Sequence, residues 1–198
     1  MRSNNIEYGK KADEKIISYL KSLDGFVSIY EIRDNQQNRN NLQGMDKLEN
    51  DINMHLGIDF VLVIKDKTYY LDTKGFNYSY RNYGSLRNGI VENMLLQVEK
   101  VYGNKEYKGW ANNPKHLTTH IVILINGHIY IIDYKKLVKY CDKFTDEVEK
   151  CKRKGKGNDI VKIYGEKWKG KGNCEICVKA SVKDMIENKV ITNISTIE

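Results

Sequence analysis

Two carboxylates and a lysine stand close together in the stretch from Gly57 to Gly75, GIDFVLVIKDKTYYLDTKG. Asp59 lies near the start of an apolar run that ends at Ile64. Asp72 and Lys74 close a second run that is rich in β-branched and aromatic residues. Runs of this kind, bounded by glycine and polar residues, are typical of strands. The sequence therefore predicts a β-hairpin with charged side chains at one end.

The register of this hairpin decides whether the three charged side chains meet. Side chains alternate along a strand, so Asp72 and Lys74 share one face. A two- or four-residue loop places Asp59 opposite Lys74 and on that same face. A three-residue loop places Asp59 opposite Thr73, on the other face. We therefore predict a loop of even length.

Neighbouring carboxylates on an apolar hairpin repel each other and are costly to remove from water. A divalent cation compensates both effects, and Mg²⁺ typically uses one or two carboxylates together with waters and substrate phosphate. A nearby lysine can hold a hydroxide or stabilise charge that develops on a phosphate. The pattern favours metal-assisted cleavage of a phosphodiester, and the alternative is a solvated polar face on an edge strand.

Gly57-Ile58-Asp59 followed by Leu71-Asp72-Thr73-Lys74 resembles the PD-(D/E)xK, or restriction-endonuclease-like, nuclease superfamily. The resemblance implies that Asp59 and Asp72 bind Mg²⁺ or Mn²⁺, with the backbone carbonyl of Thr73 as a further ligand. It implies that Lys74 assists the nucleophilic water. It also implies an α/β fold with an α-β-β-β-α-β core, in which a mixed central sheet is flanked by helices.

Two helices are predicted on either side of these strands. Residues 9–23 carry apolar residues at helical spacing. The resemblance implies an acidic residue on this helix near the metal, for which Glu14 is the best match, although a surface glutamate paired with lysine fits equally well. Residues 85–102 are predicted as the second helix. Gln97 on it matches a helical glutamine of the family and is assigned to the catalytic site, while Tyr102 follows one residue later than the family spacing.

The remaining predicted elements give the chain its order, with a core over residues 9–133 and a C-terminal β/α extension over residues 134–198 in one domain. Asn126-Gly127 is predicted to be a type I′ hairpin turn, and Ser181 is predicted to cap a short helix. The other elements are strands at 26–32, 118–125, 128–133, 159–164 and 174–179, a loop at 33–44, a short amphipathic segment at 45–56 and a helix at 134–150.

Aromatic and basic residues follow the D-x-K motif in the segment GFNYSYRNYG, residues 75–84. Arg81 and Tyr83 in this segment are candidates for contacts with phosphates and bases. Arg87 and Lys100 on the predicted second helix are candidates for phosphate contacts. The alternatives are a tyrosine-rich loop packed on its own domain and basic residues that are simply solvated.

The composition fits a nucleic-acid partner without requiring one. The chain has 198 residues, 40% of them hydrophobic, and a formal net charge of +7 from 33 basic and 26 acidic residues. A basic balance suits DNA, or RNA, as partner. No apolar run reaches the ~20 residues that cross a bilayer, and the N-terminus lacks the apolar core of a signal peptide. We expect a cytoplasmic protein with no membrane partner. Many enzymes of the superfamily act as dimers, so the resemblance leaves both a homodimer and a monomer open.

The four cysteines offer a competing hypothesis. Cys174 and Cys177 have the spacing of a zinc knuckle, and Cys141 and Cys151 precede them. In a reducing compartment all four also fit as free thiols. Three functions are therefore weighed: a Mg²⁺-dependent endodeoxyribonuclease, a non-cleaving nucleic-acid-binding module on the same fold, and a cysteine-metal protein.

Overall fold

The computed structural model describes residues 2–32, 44–103, 105–165 and 173–197, with the side chains of residues 2–10, 80 and 81 outside that description. Short turns at Ile52–Leu56 (π-helical), Trp110–Asn112 and Asp142–Phe144 (both 3₁₀) complement the main elements. In chain order these are α1 (Arg2–Lys21), β1 (Phe26–Glu31), α2 (Gly44–Asp51), β2 (Phe60–Ile64), β3 (Lys67–Phe76), α3 (Tyr80–Tyr83), β4 (Leu86–Arg87), β5 (Ile90–Val91), β6 (Asn93–Tyr102), β7 (Lys105–Lys108), β8 (His120–Ile125), β9 (His128–Asp133), α4 (Tyr134–Cys141), α5 (Thr145–Lys154), β10 (Val161–Gly165), β11 (Asn173–Ser181), α6 (Val182–Glu187) and β12 (Ile191–Thr196).

The chain folds as two compact units, each of which has its own sheet. The first unit comprises Met1–Asn77, Lys115–Asp133 and Thr192–Glu198, and the second comprises Tyr78–Pro114 and Tyr134–Ile191. The segment predicted as a C-terminal extension thus belongs mainly to the second unit. None of the described helices combines the length and the apolar character that crossing a membrane requires.

A mixed sheet with flanking helices, as predicted, forms the first unit. Its described strands lie in the order β1-β2-β3-β8-β9-β12. β3 and β8 are parallel, whereas the pairs β1–β2, β2–β3 and β8–β9 are antiparallel. Helix α1 packs on this sheet through the spacing that predicted it. Each fully buried aliphatic side chain contributes roughly 1.5–3 kcal/mol, and the shared core consists of Ala12, Ile16, Leu20, Phe60, Leu62, Leu71, Val122, Leu124 and Ile129.

The hairpin of β2 and β3 has the even-length loop that the sequence predicts, in a different register. Ile64 pairs with Lys67, so Lys65 and Asp66 form a two-residue loop. This register continues to Phe60 opposite Leu71, and it brings Asp59 beside Asp72 instead of Lys74. Lys65 lies in this loop, and its N–H donates to the carbonyl of Gly25 at 2.7 Å.

Asn-Gly turns close two hairpins in the described chain. Asn126 and Gly127 have φ values of 52° and 72° between β8 and β9, which confirms the predicted type I′ turn, since that turn requires positive φ at both positions. Asn88 and Gly89 have φ values of 53° and 79° between β4 and β5. This second turn was not predicted.

The helix predicted at residues 85–102 is wrong. The segment forms β4, β5 and β6, and the second unit's sheet runs in the order β10-β11-β6-β7. The apolar stripe that indicated a helix also satisfies a period of two, because Met94, Leu96 and Val98 are all buried. Because this helix is missing from the described residues, they do not reproduce the α-β-β-β-α-β order that the resemblance implies.

The C-terminal strands follow the prediction up to β12, whereas the single helix predicted at 134–150 is divided into α4 and α5 by the 3₁₀ turn at Asp142–Phe144. The side chain of Ser181 caps α6 by accepting a hydrogen bond from the N–H of Asp184 at 3.4 Å. β12 was not predicted, and it adds an edge strand beside β9 in the first unit. Most of the loop predicted at 33–44 lies outside the described residues.

Candidate active site

A left-handed glycine sets the entry to β2. Gly57 ends the π-helical turn with a φ of 67°, and its N–H donates to the carbonyl of Asn53 at 3.0 Å. A Cβ at Gly57 would lie 2.4 Å from the His116 ring, so the position requires glycine for space as well as for φ. Irregular π-helical turns of this kind are frequent at functional sites. Here the turn aims the Asn53 side chain at the next carboxylate.

Asp59 is held by donors on both of its carboxylate oxygens. Asn53 Nδ2 donates to Oδ1 at 2.6 Å. The N–H of Thr73 donates to Oδ2 at 2.7 Å. The backbone of Asp59 is also fixed, because its N–H donates to Leu71 and its carbonyl accepts from Ile32, each at 2.7 Å. The carboxylate therefore has one orientation before any ligand binds.

Thr73 links this carboxylate to α1. Its hydroxyl lies 2.8 Å from Asp13 Oδ1 and 3.2 Å from Asp59 Oδ2. A hydroxyl has a single proton, so it donates to one of the two carboxylates at a time. Asp13 lies on α1, whose apolar face packs on the sheet, and the packing of that helix therefore places a third carboxyl group beside the first two.

Asp72 and Lys74 complete the cluster. They share one face of β3, opposite to the face that carries the Thr73 side chain. Lys74 Nζ donates to Asp72 Oδ1, and the Asp72 carboxyl is hydrogen-bonded to Asp59. The Asp72 side chain is 5% exposed and that of Lys74 is 28% exposed. Solvent, and hence a ligand, reaches the cluster on the Lys74 side.

Burial sets the protonation of the cluster. It raises the pKa of Asp72 to about 8, against the pull of Lys74. Burial also raises the pKa of Asp13. The pKa of Asp59 is lowered, because Lys74 and the donors around the carboxylate outweigh its burial. The pKa of Lys74 is raised, because Asp72 and Asp59 outweigh burial of the ammonium. At neutral pH Asp72 therefore carries a proton that it donates to Asp59.

The donor set suits a hard divalent cation bound with few protein ligands. Among the described residues, no group of three or more His, Cys, Asp or Glu side chains could hold a metal ion. Mg²⁺ needs only one or two carboxylates, since it retains waters and takes substrate phosphate. Asp59 and Asp72 supply such a pair, and a cation would replace the proton that they share. The residues present therefore fit Mg²⁺ or Mn²⁺.

The structure brings together some predicted site residues and not others. Asp59, Asp72, Thr73 and Lys74 lie together. Thr73 contacts the carboxylates through its N–H and hydroxyl, whereas the prediction concerned its backbone carbonyl. Glu14 was predicted to lie near the metal, but it is exposed. The carboxyl group that α1 places beside Thr73 is that of Asp13, because neighbouring residues on a helix point about 100° apart. Gln97 lies on β6 in the second unit, so its assignment on a helix is also corrected.

The predicted nucleic-acid contacts all fall in the second unit. Tyr83 is 4% exposed, which corrects its assignment, because a buried ring cannot stack on a base. Arg87 is exposed and Lys100 is half-buried. The side chain of Arg81 lies outside the described residues.

Sequence reasoning missed two residues of the site: Asn53, which bonds Asp59, and Asp13, which bonds Thr73. Asp13 stands four residues before Ile17 at the border of the apolar face, and this spacing was available as a signal. Asn53 lies in a π-helical turn. The geometry of such a turn is irregular, and the spacing of apolar residues does not predict it. Both residues act by orienting other groups.

The cysteines do not form the zinc knuckle that their spacing suggested. All four are buried free thiols. Cys174 and Cys177 lie three residues apart on β11, so their side chains leave the strand on opposite faces. Burial also raises the pKa of Cys141 and of Cys177 to about 12, which disfavours the thiolate that binds a metal.

Comparison with protein-family models, with curated proteins and with solved structures gives no match for this chain.

Proposed function

We propose that the chain is a Mg²⁺- or Mn²⁺-dependent nuclease of the restriction-endonuclease-like type that hydrolyses phosphodiester bonds in DNA. The observation that carries the proposal is the cluster of Asp13, Asp59 and Asp72 around a single lysine. Burial, and then the neighbouring Asp59 carboxylate, raise the pKa of Asp72 enough for it to retain a proton near neutral pH despite Lys74. Such an arrangement destabilises the folded chain, and carboxyl groups with strongly perturbed pKa values are found most often at functional sites.

Each residue has a role in this reaction. Asp59 and Asp72 would hold the cation, and a cation held there would supply Lewis-acid stabilisation of the phosphate and of the attacking water. Asn53 and Thr73 keep Asp59 oriented, and Asp13 in turn positions the Thr73 hydroxyl. Lys74, on the solvent side of the cluster, would position the attacking water and stabilise charge that develops on the phosphate.

The shared proton makes cation binding depend on pH. Asp72 must lose its proton to act as an anionic ligand, and metal binding releases protons from such ligands. Apparent affinity for Mn²⁺ should therefore rise with pH up to about 8, where Asp72 titrates. Calorimetric titration at several pH values measures this independently of any cleavage.

Cleavage of plasmid and single-stranded DNA with Mg²⁺ or Mn²⁺ tests the proposal. Asp72→Asn and Lys74→Met should each lower the rate by about 100-fold or more. The same hairpin supplies matched controls, because Asp66→Asn and Lys67→Met make the same changes at exposed positions. Those controls should cleave as the unmodified protein does.

Two results would refute the nuclease. One is metal-dependent cleavage that persists in both cluster variants, which would place the chemistry elsewhere. The other is absence of cleavage on every substrate while nucleic-acid binding is retained, which would favour the non-cleaving module.

A further inference from the structure

The second unit has a sheet face that the site described above does not use. Partners in antiparallel pairs share a face, so a row of side chains can be followed from strand to strand. The pairing connects Tyr164, Glu175, Lys100 and Tyr107 across β10, β11, β6 and β7. We call this the tyrosine face, and adjoining rows on it contain Lys162, Cys177 and Gln97 on one side and Asn173, Tyr102 and Lys105 on the other.

The other face of this sheet is the one on which α5 packs. It carries the buried side chains of Cys174, Ile176 and Val178. Lys152 of α5 reaches Glu99 and Glu106 there, each at 2.9 Å. The α5 side is therefore covered along the sheet. On the tyrosine face Cys177 and Gln97 are buried, whereas the rings farther along the strands are exposed.

Three aromatic rings stand on the tyrosine face. Tyr102 is 49% exposed, Tyr107 is 48% exposed and Tyr164 is 39% exposed. The rings of Tyr102 and Tyr107 meet edge to face with centroids 5.9 Å apart. The Tyr164 hydroxyl donates to Asn82 Oδ1 at 3.3 Å. A pocket of about 250 Å³ lies at the end of these strands and is lined by Tyr102, Tyr164, Gly165, Asn173, Cys174 and Glu175.

Positive charge surrounds these rings. Among the paired strand residues that the structure describes, Lys100, Lys105 and Lys162 share the face with one carboxylate, Glu175. Lys179 lies two residues beyond Cys177 on the same face of β11. Lys105 is exposed, and the other three are half-buried along their stems. Glu92 interacts with Lys179, so four ammonium groups stand against two carboxylates. The net charge of these residues is positive, which is complementary to a phosphate backbone.

We propose that the tyrosine face binds single-stranded nucleic acid, with bases stacked on the tyrosine rings and phosphates against the lysines. Stacking accepts any base, because every base has a π-face. A duplex covers those faces with neighbouring base pairs, so the rings favour a single strand. This extends the proposed function by naming the form of the nucleic acid, and binding at this face requires neither the metal nor the Asp72 cluster.

Fluorescence anisotropy with a labelled 20-nucleotide dT strand in EDTA tests the face without cleavage. Tyr107→Ala should weaken binding by about 5- to 150-fold, the range for loss of one stacked base. Tyr107→Phe keeps the ring and should bind as the unmodified protein does. Lys105→Gln should weaken binding more than Lys108→Gln, since these residues lie on opposite faces of β7. Thermal melting of each variant checks that it is folded.

Three outcomes would overturn the inference. They are no binding of the strand, equal binding of a 20-base-pair duplex together with unchanged binding by Tyr107→Ala, and displacement of the strand by poly-glutamate as readily as by unlabelled dT. Failure here is separable from failure of the nuclease. Lys74→Met should bind the strand fully without cleaving it, whereas metal-dependent cleavage that survives loss of binding in Tyr107→Ala would contradict only the role of this face.

Discussion

Replacing Asp72 by asparagine is expected to stabilise the metal-free protein. Burial raises the pKa of this carboxyl from 3.8 to about 8. The folded chain therefore binds a proton that the unfolded chain has already lost at neutral pH, and stability falls as pH rises from about 4 to about 8. Asparagine mimics the protonated carboxyl, since it can accept from Lys74 and donate to Asp59, and it has no proton to lose.

The size of the gain follows from the pKa difference. One pKa unit corresponds to about 1.4 kcal/mol, so the variant should gain about 4 kcal/mol at pH 7 and roughly 1–2 kcal/mol at pH 5. These are upper values, because part of the burial cost relaxes when the site takes up water. The gain should level off above pH 8, where Asp72 is ionised in both states.

Urea unfolding in EDTA at pH 5 and pH 7 measures both gains. Asp66→Asn in the exposed hairpin turn is the matched control and should change stability by less than about 0.5 kcal/mol. A loss of stability in the Asp72 variant, or a gain that does not grow with pH, would refute the view that the Asp72 charge is costly. Saturating Mn²⁺ should stabilise the unmodified protein and not the variant, because a cation that binds the folded state adds free energy in proportion to the logarithm of its concentration over Kd.

Three further changes test the supporting residues. Asn53→Ala removes the amide that donates to Asp59 and should cost about 1–3 kcal/mol in urea unfolding, and an unchanged midpoint would show that the bond is dispensable. Asp13→Asn should slow cleavage whereas Glu14→Gln should not, and equal effects would argue against the assignment of Asp13. Gly57→Ala forces an alanine into a φ of 67° and should lower the unfolding free energy by about 1–3 kcal/mol, so a melting temperature equal to that of the unmodified protein would contradict the claim of strain.

The hairpin was predictable because its signals are local. The apolar run of β2, the aromatic run of β3 and the polar turn between them all indicate strands. The loop parity followed from the requirement that charged groups converge. In the observed register Lys65 lies in the turn, where its N–H donates to the carbonyl of Gly25 in another turn. A contact between distant segments of this kind leaves no mark in local sequence.

The segment at residues 85–102 shows why pattern alone failed. Its apolar residues satisfy a helical spacing and a strand spacing together, and the choice between them was made by Asn88-Gly89, whose positive φ values interrupt a helix. β12 was missed for the opposite reason. Ile191 is its single buried residue in the described range, and the strand otherwise presents polar or half-exposed side chains at the edge of a sheet.

The way in which the first unit is threaded has a consequence for how the protein is made. The chain passes between the units after residues 77, 114, 133 and 191, and Tyr19 of α1 bonds Ser195 of β12 at 2.9 Å across 176 residues of sequence. Contacts between residues that lie so far apart in sequence slow folding. During translation the outer edge of β9 has no strand beside it until β12 emerges, and an uncovered edge invites pairing with other chains. Aggregation during synthesis or refolding should therefore depend on whether β12 is in place beside β9.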